Sequence, residues 1–130
     1  MAMNMKTFEG QAVINFKLTE EDVDDIIDTA FEGGINYWCC AAEVVGDYLG
    51  EYTNEQISRG GKLRLHDAES DDVWELDIEK FMQGFRLWIE NGDDEYGAVK
   101  ANGEVDICEI DAEMADMIIQ YALFGEVVFG

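Results

Sequence analysis

Apolar residues recur every three to four positions between Thr19 and Glu32, which is the pattern of a helix with one buried face. Thr19 and Asp22 have the spacing of a capping box, and the acids of the first turn complement the helix dipole. Gly33-Gly34 predicts the end of this helix. Its apolar face consists of Val23, Ile26, Ile27, Ala30 and Phe31.

Two later segments carry the same helical pattern. One follows Asp77, a favourable N-cap residue, and stops before Gly92, while the other follows Asp111 and stops at Gly125. The inward residues are predicted to be Ile78, Phe81, Met82, Phe85, Trp88 and Ile89 in the first helix and Met114, Met117, Ile118, Tyr121 and Ala122 in the second.

Strand patterns fill the segments between the predicted helices. Gln11–Leu18 alternates as a half-buried strand does, and the nearly uncharged Ile35–Val45 predicts a buried or bent central strand with a bulge. Lys62–His66 and Val73–Asp77 predict a hairpin with a polar loop.

A second hairpin is indicated near the end of the chain, where Asn102-Gly103 separates Tyr96–Val99 from Val105–Ile110. Strands and helices do not alternate regularly enough for a doubly wound sheet. We therefore expect an α+β fold, an antiparallel sheet with about three helices packed against it. Residues 1–130 should form a single domain whose residues 1–10 are frayed.

Charge excludes several classes of function. The 130 residues include 30 Asp and Glu against 8 Lys and Arg, a formal net charge of -22, so direct binding to nucleic acid or to anionic membranes is not expected. Hydrophobic residues make up 48% of the chain, enough to bury a core. With neither a membrane span nor a secretory signal in the pattern, we expect a cytoplasmic protein.

The candidate chemistry centres on three cysteines and one histidine. Cys39 or Cys40 with His66 and one of the many carboxylates is the one conceivable nucleophilic triad. Cys39, Cys40, Cys108 and His66 together have the ligand types of a zinc site. Adjacent cysteines seldom chelate one ion together, and free cysteines are commonly buried as small apolar residues. We therefore expect reduced core thiols, no enzyme activity and no cofactor.

The acidic loop Asp67–Asp72 begins like a calcium-binding loop, with oxygen ligands at alternate positions. Its sixth position is Asp72 where a glycine is required, and its twelfth is Ile78 where a bidentate Glu is required. No metal site is therefore predicted.

Acids are concentrated on the polar face of the first predicted helix. Their spacing of 0, 3, 4, 7 and 11 places five carboxylates along about 16 Å of helix axis, a density near one charge per roughly 3.4 Å of a DNA strand. Such charges serve solubility, or they place carboxylates where a partner protein expects phosphates. The predicted partner-binding residues are Glu21, Asp24, Asp25, Asp28 and Glu32, together with the acidic run Asp93, Asp94 and Glu95.

Three stretches, Glu32–Cys39, Gln56–Gly61 and Ala122–Gly130, resemble those of a family of small acidic proteins encoded by phages, prophages and mobile elements of Gram-positive bacteria. The likeness runs from about Phe16 onward. The resemblance supplies no function of its own, but small acidic phage proteins include antagonists of restriction enzymes and of RNA-guided nucleases.

Our hypothesis is therefore a non-enzymatic antagonist whose carboxylates engage the basic surface of a host nucleic-acid-binding protein. The alternative is a small-ligand-binding or accessory module in which Tyr37, Trp38, Cys39 and Cys40 line a pocket.

Overall fold

Three α-helices and one three-stranded antiparallel sheet make up the regular structure of residues 6–8 and 15–130, which the computed structural model describes. The predicted α+β class is confirmed. The elements in chain order are α1 (Glu20–Thr29), β1 (Cys39–Val45), β2 (Lys62–Asp67), β3 (Val73–Leu76), α2 (Ile78–Glu90) and α3 (Ala112–Phe124), with 3-10 turns at Thr53–Glu55 and Ile107–Glu109.

The first helix begins and ends as its sequence predicts. The amide of Asp22 donates to Thr19 Oγ1 and the amide of Thr19 donates to Asp22 Oδ2, both at 3.0 Å, so the capping box is present. After Thr29 the helix widens into one π turn, Ala30–Gly34. A Cβ on Gly34 would lie 2.6 Å from the carbonyl oxygen of Ala112, so glycine is what lets this turn lie against the start of α3.

The sheet has the order β1-β2-β3, and its strand register separates two faces. Directly opposed residues share a face. The inner face packs on the helices and consists of Ala42, Val44, Leu63, Leu65, Trp74 and Leu76. The outer face consists of Ala41, Glu43, Val45, Lys62, Arg64, His66, Val73 and Glu75.

The predicted strand over Ile35–Val45 is present from Cys39 to Val45, but its predicted central position in the sheet is wrong. Strand β1 begins only at Cys39, because the amides of Trp38 and Cys39 both donate to the carbonyl of Ile35 and turn the chain first. The strand lies at the edge of the sheet. Ile35 and Trp38 account for the apolar character of this segment, because both lie in that turn and their side chains are buried in the core. The predicted bulge is present, between Cys39 and Ala41.

The hairpin of β2 and β3 is confirmed, with β3 ending one residue early because Asp77 caps α2, accepting from the amide of Lys80. The predicted strands flanking Asn102-Gly103 are wrong apart from one bridge between Val99 and Val105. Asp106 accepts from the amide of Cys108 and starts a 3-10 turn there instead.

The structure describes only part of the predicted strand Gln11–Leu18. Residues 11–14 lie outside the described residues. From residue 15 onward the segment contributes one parallel bridge, between Lys17 and Glu104.

Helix α3 is buried on more than one side, because α1, α2 and the sheet all contact it. The predicted inward residues are correct: all are buried except Met117, which is half-buried and packs against the core. A second buried set, Ala115, Asp116, Ile119 and Gln120, was not predicted. The approach of α2 is close: a Cβ on Gly84 would lie 2.5 Å from the amide nitrogen of Ala122.

We expect Gly84→Ala to lower the free energy of unfolding by about 2 kcal/mol, because backbone atoms of α3 must move to admit the methyl group. Gly33→Ala is the matched control, since nothing lies within 4 Å of its added Cβ. Ala is the better helix former, so the control should be neutral or stabilising. Denaturant unfolding of both variants checks this. Equal stability of the two would contradict the helix contact described.

Candidate partner-binding surface

The acids of α1 and its π turn differ in how freely they face solvent. Glu21, Asp25 and Glu32 are exposed, whereas Asp24 and Asp28 are half-buried. The Asp24 carboxylate accepts a hydrogen bond of 2.6 Å from the Ser58 hydroxyl. Asp24 therefore holds α1 against the segment that follows the loop of residues 46–55.

That loop extends the acidic surface beyond the helix. Residues 20–58 contain 11 acids and no Lys or Arg. We call the following set the acidic face: Glu21, Asp24, Asp25 and Asp28 from α1, Glu32 from the π turn that continues it, and Asp47, Glu51 and Glu55 from the loop.

Two carboxylates of the acidic face, those of Asp24 and Asp25, have raised pKa values. Loss of hydration, followed by repulsion from Glu21, Asp22 and Asp28, raises the pKa of Asp25. Partial burial is also the main cause of the raised pKa of Asp24, and Glu55 adds to it. The carboxylates are therefore close enough in the folded protein to interact, at a cost in stability.

The outer face of the sheet has a different charge arrangement. Arg64 lies 3.5 Å from a carboxylate oxygen of Glu43 and 3.8 Å from one of Glu75. His66 Nε2 lies 2.8 Å from Glu43, and this hydrogen bond is the main reason that the pKa of Glu43 is lowered. Acids on the sheet are thus paired with cations.

The second predicted acidic cluster has a structural role. Tyr121 donates a hydrogen bond of 2.6 Å to Asp93, and Asp94 accepts from the amides of Ala98 and Val99. Glu95 is exposed. These contacts tie Asp93 and Asp94 to α3 and to the following loop, and no described hydrogen bond joins them to the acidic face.

The loop of residues 46–55 displays apolar side chains that sequence reasoning missed. Tyr48, Leu49 and Tyr52 are 64%, 47% and 62% exposed. We call this segment the tyrosine loop. Acids around these residues masked the signal, since the stretch reads as a polar turn; the run of two tyrosines and a leucine within five residues was the available clue.

Two side chains hold the backbone of the tyrosine loop. The buried Gln56 accepts from the amide of Leu49 and donates to the carbonyl of Asp47, both at 3.1 Å. Glu55 accepts from the amides of Glu51 and Tyr52 at 3.0 and 2.8 Å, and these hydrogen bonds are the chief cause of its lowered pKa. The loop therefore presents its tyrosines from an ordered backbone.

A groove of about 270 Å³ lies between the π turn, β1 and the tyrosine loop. Its apolar walls include Phe31 and Ile35, and Thr53 closes it on the side of the loop. The remaining lining residues are Asn36, Cys39, Cys40, Ala41 and Ala42.

The aromatic and cysteine segment proposed as one pocket is divided between two sites. Cys39 and Cys40 border the groove just described, whereas Tyr37 and Trp38 border a separate depression of about 230 Å³ beside Phe129. Asp116 accepts from Tyr37 at 2.6 Å and from Trp38 at 2.7 Å. Loss of hydration and this hydrogen bond raise the pKa of Tyr37 to about 12.

The thiols and His66 are not assembled into a catalytic or metal site. Cys39 donates to the carbonyl of Ala41, and His66 bonds with Glu43 rather than with either thiol. The expectation of three core thiols is wrong: Cys39 is buried, but Cys40 and Cys108 are exposed, because the bulge and the 3-10 turn direct them outward. Residues 6–8 and 15–130 contain no group of three or more His, Cys, Asp or Glu side chains arranged to hold a metal ion.

The loop compared with calcium sites is closed by its own side chains. Asp67 accepts from the amide of Glu69 and from the Ser70 hydroxyl, both at 2.9 Å, so its carboxylate stabilises the hairpin turn.

Within the described residues, α2 and α3 are the longest helices at 13 residues each, and no helix there has the length and apolar character needed to cross a membrane. Comparison of the chain with protein-family models, with curated proteins and with solved structures finds no match. The surface must therefore be interpreted from its own geometry.

We expect a thiol reagent to modify two cysteines rapidly and one slowly in the native protein. Cys39 is 6% exposed and burial raises its thiol pKa, whereas Cys40 and Cys108 are exposed. Intact-mass analysis during labelling checks this, and Cys39→Ser should remove the slow phase only. Rapid modification of Cys39 would mean that β1 opens readily.

We expect Asp25→Asn to raise the melting temperature at pH 7 by about 2 °C, since like-charge neighbours cost a few tenths of a kcal/mol. The pKa of Asp25 is raised in the folded state above 3.8, so its destabilising effect is present above that raised pKa and is relieved as the pH falls. The gain should therefore shrink toward pH 4 and in about 0.5 M salt.

Thermal melts across that pH range measure the effect, with Glu126→Gln as a control of equal charge change at an exposed site. A gain that is the same for both variants would mean that general charge, and not the crowding on α1, limits stability.

Proposed function

We propose that this protein is a non-enzymatic antagonist that binds the basic surface of a nucleic-acid-handling protein, with its carboxylates in the place of nucleic-acid phosphates. The observation that carries the proposal is the acidic face, whose eight acids come from a stretch, residues 20–58, that contains no Lys or Arg. Of these eight, only Glu55 has a described ion pair, with Arg59 at 3.4 Å. The resemblance to acidic proteins of phages and mobile elements agrees with a target in host defence.

A role in solubility alone accounts less well for this arrangement. On the outer sheet face, Glu43 and Glu75 lie beside Arg64, so the crowding of acids without a cation is not general over the surface. On α1, loss of hydration together with repulsion from neighbouring carboxylates raises the pKa of Asp25. A cost that recurs along one face is expected where the unpaired charges meet a cationic partner.

The negative charge of the acidic face indicates the chemistry of the partner's surface. Basic channels for nucleic acid carry clustered Lys and Arg that neutralise phosphates, and a row of carboxylates offers the same charge at similar spacing. Binding should be strongest at low salt, because the Debye length is about 10 Å at 0.1 M ionic strength and about 3 Å at 1 M.

The direct test is competition. The protein, immobilised at low salt, is used to retain a candidate host nucleic-acid-binding protein, and duplex DNA or RNA is then added. Mimicry predicts that nucleic acid releases the partner and that the partner cannot hold both at once. A ternary complex of the partner, the nucleic acid and this protein would contradict the proposal.

The acidic face itself is tested by charge reversal. The triple variant Asp25→Lys, Asp28→Lys and Glu32→Lys should weaken partner binding by about 100-fold or more, since each close charge pair contributes on the order of 1.5 kcal/mol or more. It spares Asp24, whose carboxylate bonds with Ser58, and the first-turn acids that cap α1.

The matched control reverses three exposed acids elsewhere, Glu95→Lys, Glu104→Lys and Glu126→Lys, whose carboxylates make no described hydrogen bond. Asp93 and Asp94 are avoided because both are hydrogen bonded. Equal losses from the two triples would indicate general steering, and no loss from either would contradict nucleic-acid mimicry.

The second candidate function is a small-ligand module, which the groove beside Cys39 and Cys40 favours. Native mass spectrometry of the purified protein tests it: a bound molecule displaced by modification of Cys40 supports this function, and an unliganded mass contradicts it.

A further inference from the structure

We propose that an extended, Lys- or Arg-bearing segment of the partner protein docks along the outer edge of β1 and against the tyrosine loop. This inference rests on the proposed function for the partner's basic character. It goes beyond electrostatic attraction of a basic partner, because it names a docking site made of backbone and aromatic groups.

The outer edge of β1 offers backbone groups for strand addition. Within the described residues β1 pairs with β2 alone, so the main-chain groups along its other edge have no strand partner. Exposed edges are normally protected by Lys, Pro or bulges. Strand β1 has no Lys or Pro, and its bulge is confined to Cys39–Ala41, leaving Ala42–Val45 regular.

A receptive groove lies beside the first half of that strand. Peptides that add to a sheet edge place alternate side chains in neighbouring pockets, which gives specificity. The groove bordered by Phe31, Ile35 and Ala42 supplies an apolar pocket for one such side chain. Thr53 at its rim connects the groove to the tyrosine loop.

The tyrosine loop supplies preorganised anchors next to the groove. Gln56 and Glu55 fix its backbone, so little conformational entropy is lost when Tyr48 and Tyr52 are covered. Tyrosine is enriched among residues that dominate binding energy, and its ring attracts cations. Leu49, which is 47% exposed in the same loop, adds apolar area.

The charge of this region selects the occupant. Asp47 and Glu51 are exposed within the loop, and α1 and its π turn contribute other acids of the acidic face. A second copy of the chain would bring together two molecules that each carry a net charge of -22, which repulsion opposes. A cationic segment instead gains from the same field.

The probe is an eight-residue peptide of alternating Arg and Val, added to isotope-labelled protein at about 0.15 M salt. We expect amide chemical-shift changes concentrated in residues 39–56. An analogue N-methylated at alternate residues keeps the charge but cannot complete a strand ladder, and it should bind at least 10-fold more weakly. Equal binding of the two peptides would overturn strand addition.

Side-chain variants separate anchoring from charge. Tyr48→Ala with Tyr52→Ala should weaken the peptide, and the partner of the proposed function, by about 10-fold or more, with an unchanged melting temperature because both rings are exposed. Tyr96→Ala is the control, since this 59% exposed tyrosine lies outside the loop.

The two proposals fail in different ways. If reversal of the α1 acids abolishes partner binding while the tyrosine variants bind normally, the docking site is wrong and mimicry stands. If the tyrosine variants lose partner binding while nucleic acid fails to compete, the docking site stands without mimicry. Shift changes spread evenly over all acidic surfaces, or a stable dimer of the free protein by sedimentation, would overturn the docking proposal.

Discussion

A carboxylate inside the molecule constrains much of this fold. Asp116 on α3 is 7% exposed, and a buried carboxylate without donors would cost several kcal/mol. It accepts from the Tyr37 hydroxyl, the Trp38 indole and the Gln120 amide, at 2.6, 2.7 and 2.9 Å. These donors come from the turn before β1 and from α3. Their hydrogen bonds to this one carboxylate therefore fix the position at which the chain enters strand β1.

The same network holds the end of the chain. The side-chain oxygen of Gln120 accepts from the amides of Val128 and Phe129, both at 2.8 Å. Phe129 then stacks on Trp38, with ring centroids 5.1 Å apart. Because Trp38 also contacts Trp74 and Phe124, the aromatic cluster joins the sheet, α3 and the final residues. Strand β1 and the segments around it are thereby anchored to one aromatic cluster.

Charged residues are arranged differently on the outer face of the sheet and on α1, with opposite effects on the pKa values of the acids. On the outer sheet face Glu43 has cationic neighbours and a lowered pKa. On α1 the acids have one another, and the pKa of Asp25 is raised. Ser58 bonds with Asp24 and with the carbonyl of Glu55, and so ties the end of the tyrosine loop to α1. The loop adds exposed tyrosines beside the acids of α1. In the proposed interaction, charge would attract the partner at a distance, and the ordered aromatic edge would fix the register in which it docks.

The sequence by itself determined the helices, the hairpin of β2 and β3, and the acidic face of α1. Those features depend on local periodicity and caps: Thr19, Asp77 and Asp111 bond with amides three residues away, which spacing alone predicts. The tertiary structure decided which features meet. The apolar pattern of Ile35–Val45 could not show that β1 is an edge strand, since burial of Trp38 depends on Asp116, 78 residues later. Nor could the sequence pattern show that Asp94 caps a loop while Tyr48 stays exposed, because both outcomes depend on packing between distant segments.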